Sequence, residues 1–143
     1  MLRVEPLLIE NYVAAGTVNL RFNHVLDHGG ASERASAASE CAGQQDPYSF
    51  WTMHNHLFAN ISSLFSANVD TYVGYADSLG LDTEAFGSCM ADPAVLDKIR
   101  AQHAYRTNEL NIRRRPAFLI NDSIYQGGLP FDAFERAIAE AMN

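Results

Sequence analysis

An α/β fold is predicted for this chain, with one long helical block interrupting a small sheet. Three observations predict it. Val18, Leu20 and Phe22 alternate with Asn19, Arg21 and Asn23, the period-2 signature of a strand with one buried face. From about residue 31 to 109, apolar residues recur at helical spacing instead. After Pro116 an apolar run, Ala117 to Ile120, ends in Asn121-Asp122-Ser123 and is followed by a second short run, the pattern of a hairpin.

The elements follow in order. Val4, Leu7, Leu8, Tyr12 and Val13 mark a helix over residues 3 to 15, with Pro6 either opening or kinking it and Gly16 free to take the left-handed turn that closes it. Val18 to Val25 reads as an edge strand. In the helical block, Asp46-Pro47 and Asp92-Pro93 each place a capping carboxylate before a proline that needs no amide partner. Phe50, Trp51, His54, Leu57, Phe58 and Ile61 form one apolar face. Val69, Tyr72, Val73, Ala76 and Leu79 form another that stops at Gly80, and Leu96, Ile99 and His103 a third. Ala117 to Ile120 is a buried strand, and Ile124 to Gln126 its return. The last helix opens at Pro130 and turns Phe131, Phe134, Ile138 and Met142 inward.

Composition narrows the function. With 143 residues and 48% hydrophobic content the chain is sized for a single domain spanning residues 1–143. A net charge of −7 repels phosphate backbones, so nucleic acid is not an expected partner despite Arg113, Arg114 and Arg115. No apolar run approaches the roughly 20 residues that span a bilayer, and Met1-Leu2-Arg3-Val4-Glu5 leads into an amphipathic stretch rather than an apolar signal core. No membrane contact, cofactor or metal is expected. His24 and His28 lack a nearby cysteine or carboxylate at a recognised ligand spacing, His54 and His56 diverge on a helix, and His54 reads as a core histidine sharing one hydrogen bond. Asn60-Ile61-Ser62 and Asn121-Asp122-Ser123 match the glycosylation tripeptide, the second also making a turn.

Several short segments, in order and spacing, carry a family resemblance. They are Glu5-Pro6-Leu7-Leu8, Leu26-Asp27-His28, Glu40-Cys41-Ala42-Gly43-Gln44-Gln45, Phe50-Trp51-Thr52-Met53-His54, Leu57-Phe58 and Pro116-Ala117-Phe118-Leu119-Ile120-Asn121. Together they resemble the DsbA-like thioredoxin-fold family of thiol–disulfide oxidoreductases across nearly the whole chain. The resemblance implies a thioredoxin-like fold with a helical insertion at about 31–109. In that fold the first, central strand would pair with Val18 to Val25 on one side and Ala117 to Ile120 on the other. Neither that strand nor the family's Cys-x-x-C motif is found in these residues, so no catalytic residue is assigned. Three sources are open for the strand: an upstream segment, a second copy of the chain or another partner, and a rearranged sheet in which the two halves pair directly.

The resemblance also implies that Pro116 follows a cis peptide bond and helps bind a polypeptide substrate through its flanking backbone. Family members carry a small or β-branched residue preceded by glycine before that proline, whereas this chain has Arg114-Arg115. Arg115 and Pro116 are therefore the candidate substrate-binding residues, and the arginine run reads either as a carboxylate-binding edge or as a solvated basic loop. Cys41 and Cys89 are too far apart for a local redox pair. Some relatives carry a structural disulfide in the insertion, so the two either pair, closing a loop worth roughly 4 kcal/mol, or remain buried thiols.

Three functions remain open. One is a redox-inactive module that binds polypeptide, or another copy of itself, through a sheet edge and the Pro116 loop. The second is the body of an active oxidoreductase whose strand and Cys-x-x-C lie upstream. The third resembles the glutathione-using relatives of the fold, with Arg115 holding a carboxylate. The family resemblance suggests an extracytoplasmic setting, which a Cys41–Cys89 disulfide would favour, whereas the missing apolar signal core and two free thiols would fit the cytoplasm, so the compartment stays open.

Overall fold

The computed structural model describes residues 4–142. Its contacts divide the chain into two compact units, Met1–Asn23 with Tyr105–Asn143, and His24–Ala104.

The first unit begins with α1 (Glu5–Leu8), which Pro6 opens rather than kinks, and continues as a wider π turn over Ile9–Val13. The side-chain amide of Asn11 donates to Leu7 O at 2.8 Å, beside the point where the ladder widens. Glu5 and Leu8 take the inward face, and Leu7, expected there, lies off it and is exposed. Arg3, the first residue of the expected helix, lies outside the described residues. Gly16, at φ 73°, ends the helical segment as expected.

Residues 18–26 form no ladder, which corrects the expected edge strand. The alternation itself persists: Val18, Leu20 and Phe22 are partly buried while Asn19, Arg21 and Asn23 are exposed. Side-chain pattern sets which face turns inward, but a strand exists only through hydrogen bonds to a neighbour. Among the described residues the sheet consists of β1 (Ala117–Ile120) and β2 (Ser123–Gln126), antiparallel, with Ala117 opposite Gln126 and Ile120 opposite Ser123. Asn121 and Asp122 make the turn, Asn121 at φ 48°, with its side-chain amide donating to Ala141 O at 3.1 Å. α7 (Phe131–Ala141) starts after Pro130. Leu8, Phe134 and Ile138 form this unit's core, with Phe118 edge-on to Phe134 at 4.5 Å. Met142, expected inward, is 66% exposed, because the helix ends before it.

The second unit is helical: α2 (Gly30–Gln45), α3 (Pro47–Ala59), a 3-10 turn (Ile61–Ser63), α4 (Val69–Ser78), α5 (Thr83–Ala91) and α6 (Pro93–Asn108), whose last residues belong to the first unit. Asp92 caps α6 as expected, its Oδ1 accepting from Ala94 N at 2.9 Å, but the Asp46 side chain makes no capping bond. There the backbone carbonyl of Asp46 accepts from Ser49 N instead. α4 begins with an Asn68–Thr71 capping box and ends at Gly80, φ 74°. Ala37, Ala38 and Ala42 of α2 are buried with Met53, Tyr72, Phe86 and Ile99, a core in which small side chains on one helix admit large ones from its neighbours. At Gly43 the backbone of α2 approaches Phe50 closely, and an added Cβ would sit 3.1 Å from Phe50 Cβ. Ile61, expected on the apolar face, is 55% exposed, because α3 stops at Ala59 and the chain re-turns as a 3-10 segment.

Candidate functional site: the loop before Pro116

The loop between α6 and β1 is built from its backbone outward. Asn111 takes a left-handed conformation, φ 50°, which asparagine tolerates better than most side chains. Ile112 is buried and its amide donates to Arg106 O at 3.0 Å, anchoring the loop's start. Arg113, Arg114 and Arg115 follow, all exposed, and the Arg115–Pro116 peptide bond is cis.

One side chain shapes this loop. Gln126, the last residue of β2, accepts at Oε1 from the backbone amides of Arg113 (2.7 Å) and Arg114 (3.0 Å), and donates from Nε2 to Asn111 O (3.2 Å). A primary amide carries an acceptor with two lone pairs and a two-proton donor, so one residue satisfies three main-chain groups. Beside it, Gly127 N donates to Pro116 O at 2.8 Å, extending the hairpin by one bond. The arginine side chains are arranged locally: Arg113 Nε donates to Asn111 Oδ1 at 2.9 Å, and Arg115 donates from a terminal nitrogen to Arg113 O at 3.2 Å. Among the described residues, Arg114 has no carboxylate partner. Sequence reading missed Gln126, because only the register that sets it opposite Ala117 brings it beside residues 111–114.

The cysteines lie elsewhere. Cys41 of α2 and Cys89 of α5 form a disulfide with Cα atoms 5.7 Å apart, which settles the choice between a bond and two thiols. They are the two cysteines of the sequence, so residues 1–143 hold no free thiol. The thiolate is the nucleophile in disulfide exchange, and a residue already bonded cannot supply one.

A polar cluster in the second unit gives buried His24 a partner that its sequence neighbourhood does not show. Its Nε2 lies 3.0 Å from Glu40 Oε1, while Lys98 Nζ donates to Glu40 Oε2 at 2.9 Å. The hydrogen bond to His24 is the largest influence on Glu40; burial opposes it, Lys98 adds to it, and together they lower its pKa from 4.5 to about 2. Glu40 stands sixteen positions from His24, so no local spacing rule reveals the pair. His103 Nδ1 accepts from Leu26 N at 3.1 Å, which places its remaining proton on Nε2. His54 is 3% exposed, with Nδ1 3.2 Å from Asn55 Oδ1 and its ring 4.6 Å from that of Phe58, as a core histidine would be. Among the described residues, no group of three or more His, Cys, Asp or Glu could hold a metal ion, and no helix is long and apolar enough to cross a membrane.

Comparison with known proteins places these features in a family. A family model described as Thioredoxin matches residues 2–140. Disulfide bond formation protein D of Bacillus subtilis (strain 168) is 24% identical, over 96% of this chain and 63% of its own length. The Na(+)/H(+) antiporter NhaA 1 of Salinispora arenicola (strain CNS-205) is 30% identical, over 75% of this chain and 16% of its own length. The chain thus spans less than two thirds of either relative. The crystal structure of Wolbachia pipientis α-DsbA1 superposes with a TM-score of 0.72 at 18% identity, over 96% of this chain and 75% of that one, a likeness of fold. With a thioredoxin model matched almost end to end, a disulfide-forming relative in sequence and a DsbA in fold, the chain belongs to the DsbA-like thioredoxin-fold family.

Proposed function

We propose that residues 1–143 form a polypeptide-holding thioredoxin-fold domain, with Arg115 and Pro116 at its binding edge, that does not itself turn over thiols. The observation that carries this reading is the Cys41–Cys89 bond, which occupies both cysteines of the sequence. The relationship to a disulfide bond formation protein supports a polypeptide as the bound molecule. The Gln126-held backbone before Pro116 supports the place, since an ordered loop beside a strand is a suitable rest for an extended chain. On this reading the helical segment at about 31–109 is an insertion within a single domain.

The test is reduction of a protein disulfide by dithiothreitol with residues 1–143 added. No acceleration over the buffer rate is expected, together with saturable binding of an unfolded, reduced polypeptide. Acceleration would overturn the proposal and would require Cys41 or Cys89 to exchange.

A second reading is favoured by the 63% coverage of the Bacillus relative: these residues are the body of an oxidoreductase whose reactive thiols belong to further sequence. Intact mass of the protein from its natural source, before and after alkylation under reducing conditions, separates the two. A mass above that of residues 1–143 with four alkylatable cysteines supports the second reading. A mass matching residues 1–143 with two supports the first.

A further inference from the structure

Ten lysines and arginines stand against seventeen aspartates and glutamates in this chain, yet three of the ten are consecutive, at Arg113, Arg114 and Arg115. Two arginines elsewhere are paired with carboxylates: Arg100 with Glu33 through two hydrogen bonds, and Arg136 with Asp132. Among the described residues no carboxylate reaches Arg113 or Arg114. Their backbone is fixed by Gln126, so a ligand would meet guanidinium groups on an already ordered loop.

We infer that Arg113 and Arg114 are specificity-determining residues that select acidic polypeptide segments at the Pro116 edge. The inference deepens the polypeptide-holding function proposed above and rests on it. Its chemistry is that of the guanidinium, whose planar set of N–H donors matches the two oxygens of a carboxylate. Arg113 uses Nε on Asn111 and keeps its terminal nitrogens for a ligand; Arg114 keeps its whole guanidinium. A basic client would meet like charge at the same place and be disfavoured. The contact is exposed, so salt should weaken it strongly, the screening length falling from about 10 Å at 0.1 M to about 3 Å at 1 M.

The experiment is a fluorescence-anisotropy titration of residues 1–143 with three labelled peptides of equal length and apolar content, carrying glutamate, glutamine or lysine at the same positions. The glutamate peptide is expected to bind about tenfold more tightly than the lysine peptide, in keeping with a few exposed charge pairs, and the preference should vanish at 1 M salt. Arg113→Glu with Arg114→Glu should invert the order, and Arg113→Lys with Arg114→Lys should retain it. If the glutamate pair impairs folding, judged by circular dichroism, Arg113→Gln with Arg114→Gln should level the three affinities. Equal binding of all three peptides by the unsubstituted protein would overturn this inference while leaving polypeptide binding intact. Binding of none would overturn both. Displacement of the glutamate peptide by millimolar glutathione would assign the arginines to a small carboxylate instead and overturn the inference.

Discussion

In His24–Ala104 the helices are held by buried apolar side chains, a disulfide between α2 and α5 and the half-buried Glu40 between His24 and Lys98, whereas the hairpin unit rests on a smaller core of Leu8, Phe134 and Ile138. The helical unit carries most of its main chain in helices and uses side chains at the joints between them, as where Asp82 caps α5 and Gln45 bonds the main chain of Asp82. In the hairpin unit side chains bond main-chain groups along the irregular segments themselves, Asn11 on Leu7 O and Gln126 on residues 111–114. Regular backbone bonding leaves a helix's side chains free to build a core, while an irregular loop spends polar side chains on its own shape. That is why the candidate site lies in the second kind of region.

The contrast can be broken most forcefully at the disulfide. Replacing Cys41 and Cys89 together by alanine opens a loop of 48 positions, which by chain entropy should cost about 4 kcal/mol in urea unfolding. Hydrogen exchange should show the loss in α2 and α5 first. Phe134→Ala should cost about 3 kcal/mol, measured the same way, because the hairpin unit's core is small and offers few neighbours to close the cavity.

Glu40→Gln should cost about 2 kcal/mol, the range for hydrogen bonds to charged groups. The pKa of Glu40 is lowered on folding, so its stabilisation is present above about pH 4.5 and is lost as pH falls toward about 2. Urea titrations between those limits should slope for the unsubstituted protein and flatten in the variant. The smallest effect is expected from Gln126→Ala, about 1 kcal/mol, since water can replace bonds at an exposed site. Its clearer mark should be faster amide exchange at Arg113 and Arg114, and unchanged exchange there would mean that Gln126 does not hold the loop.

What was legible in the sequence follows the same division. Helix starts and stops at Pro47, Gly80 and Pro93, and the hairpin from Ala117 to Gln126, rest on local chemistry and were readable. The ladder expected at Val18 to Val25 was not, because alternation records burial and not the presence of a neighbour. The site was half legible. Pro116 and the arginines stand out in the sequence, but Gln126 becomes their neighbour only through strand register, and Glu40 reaches His24 only through tertiary packing. Asp46 shows the limit of even a local rule, since a capping residue in the right place can leave its side chain unused.

Gln126 bonds to main-chain atoms that every residue except proline at 113 or 114 would present. The shape of the loop is thereby separated from the identity of what it displays. Arg114, which makes no side-chain bond of its own among the described residues, could be exchanged for a neutral or acidic residue without rebuilding the turn. If the loop binds polypeptide as proposed, it can change what it favours by one substitution at a time while keeping the same fold.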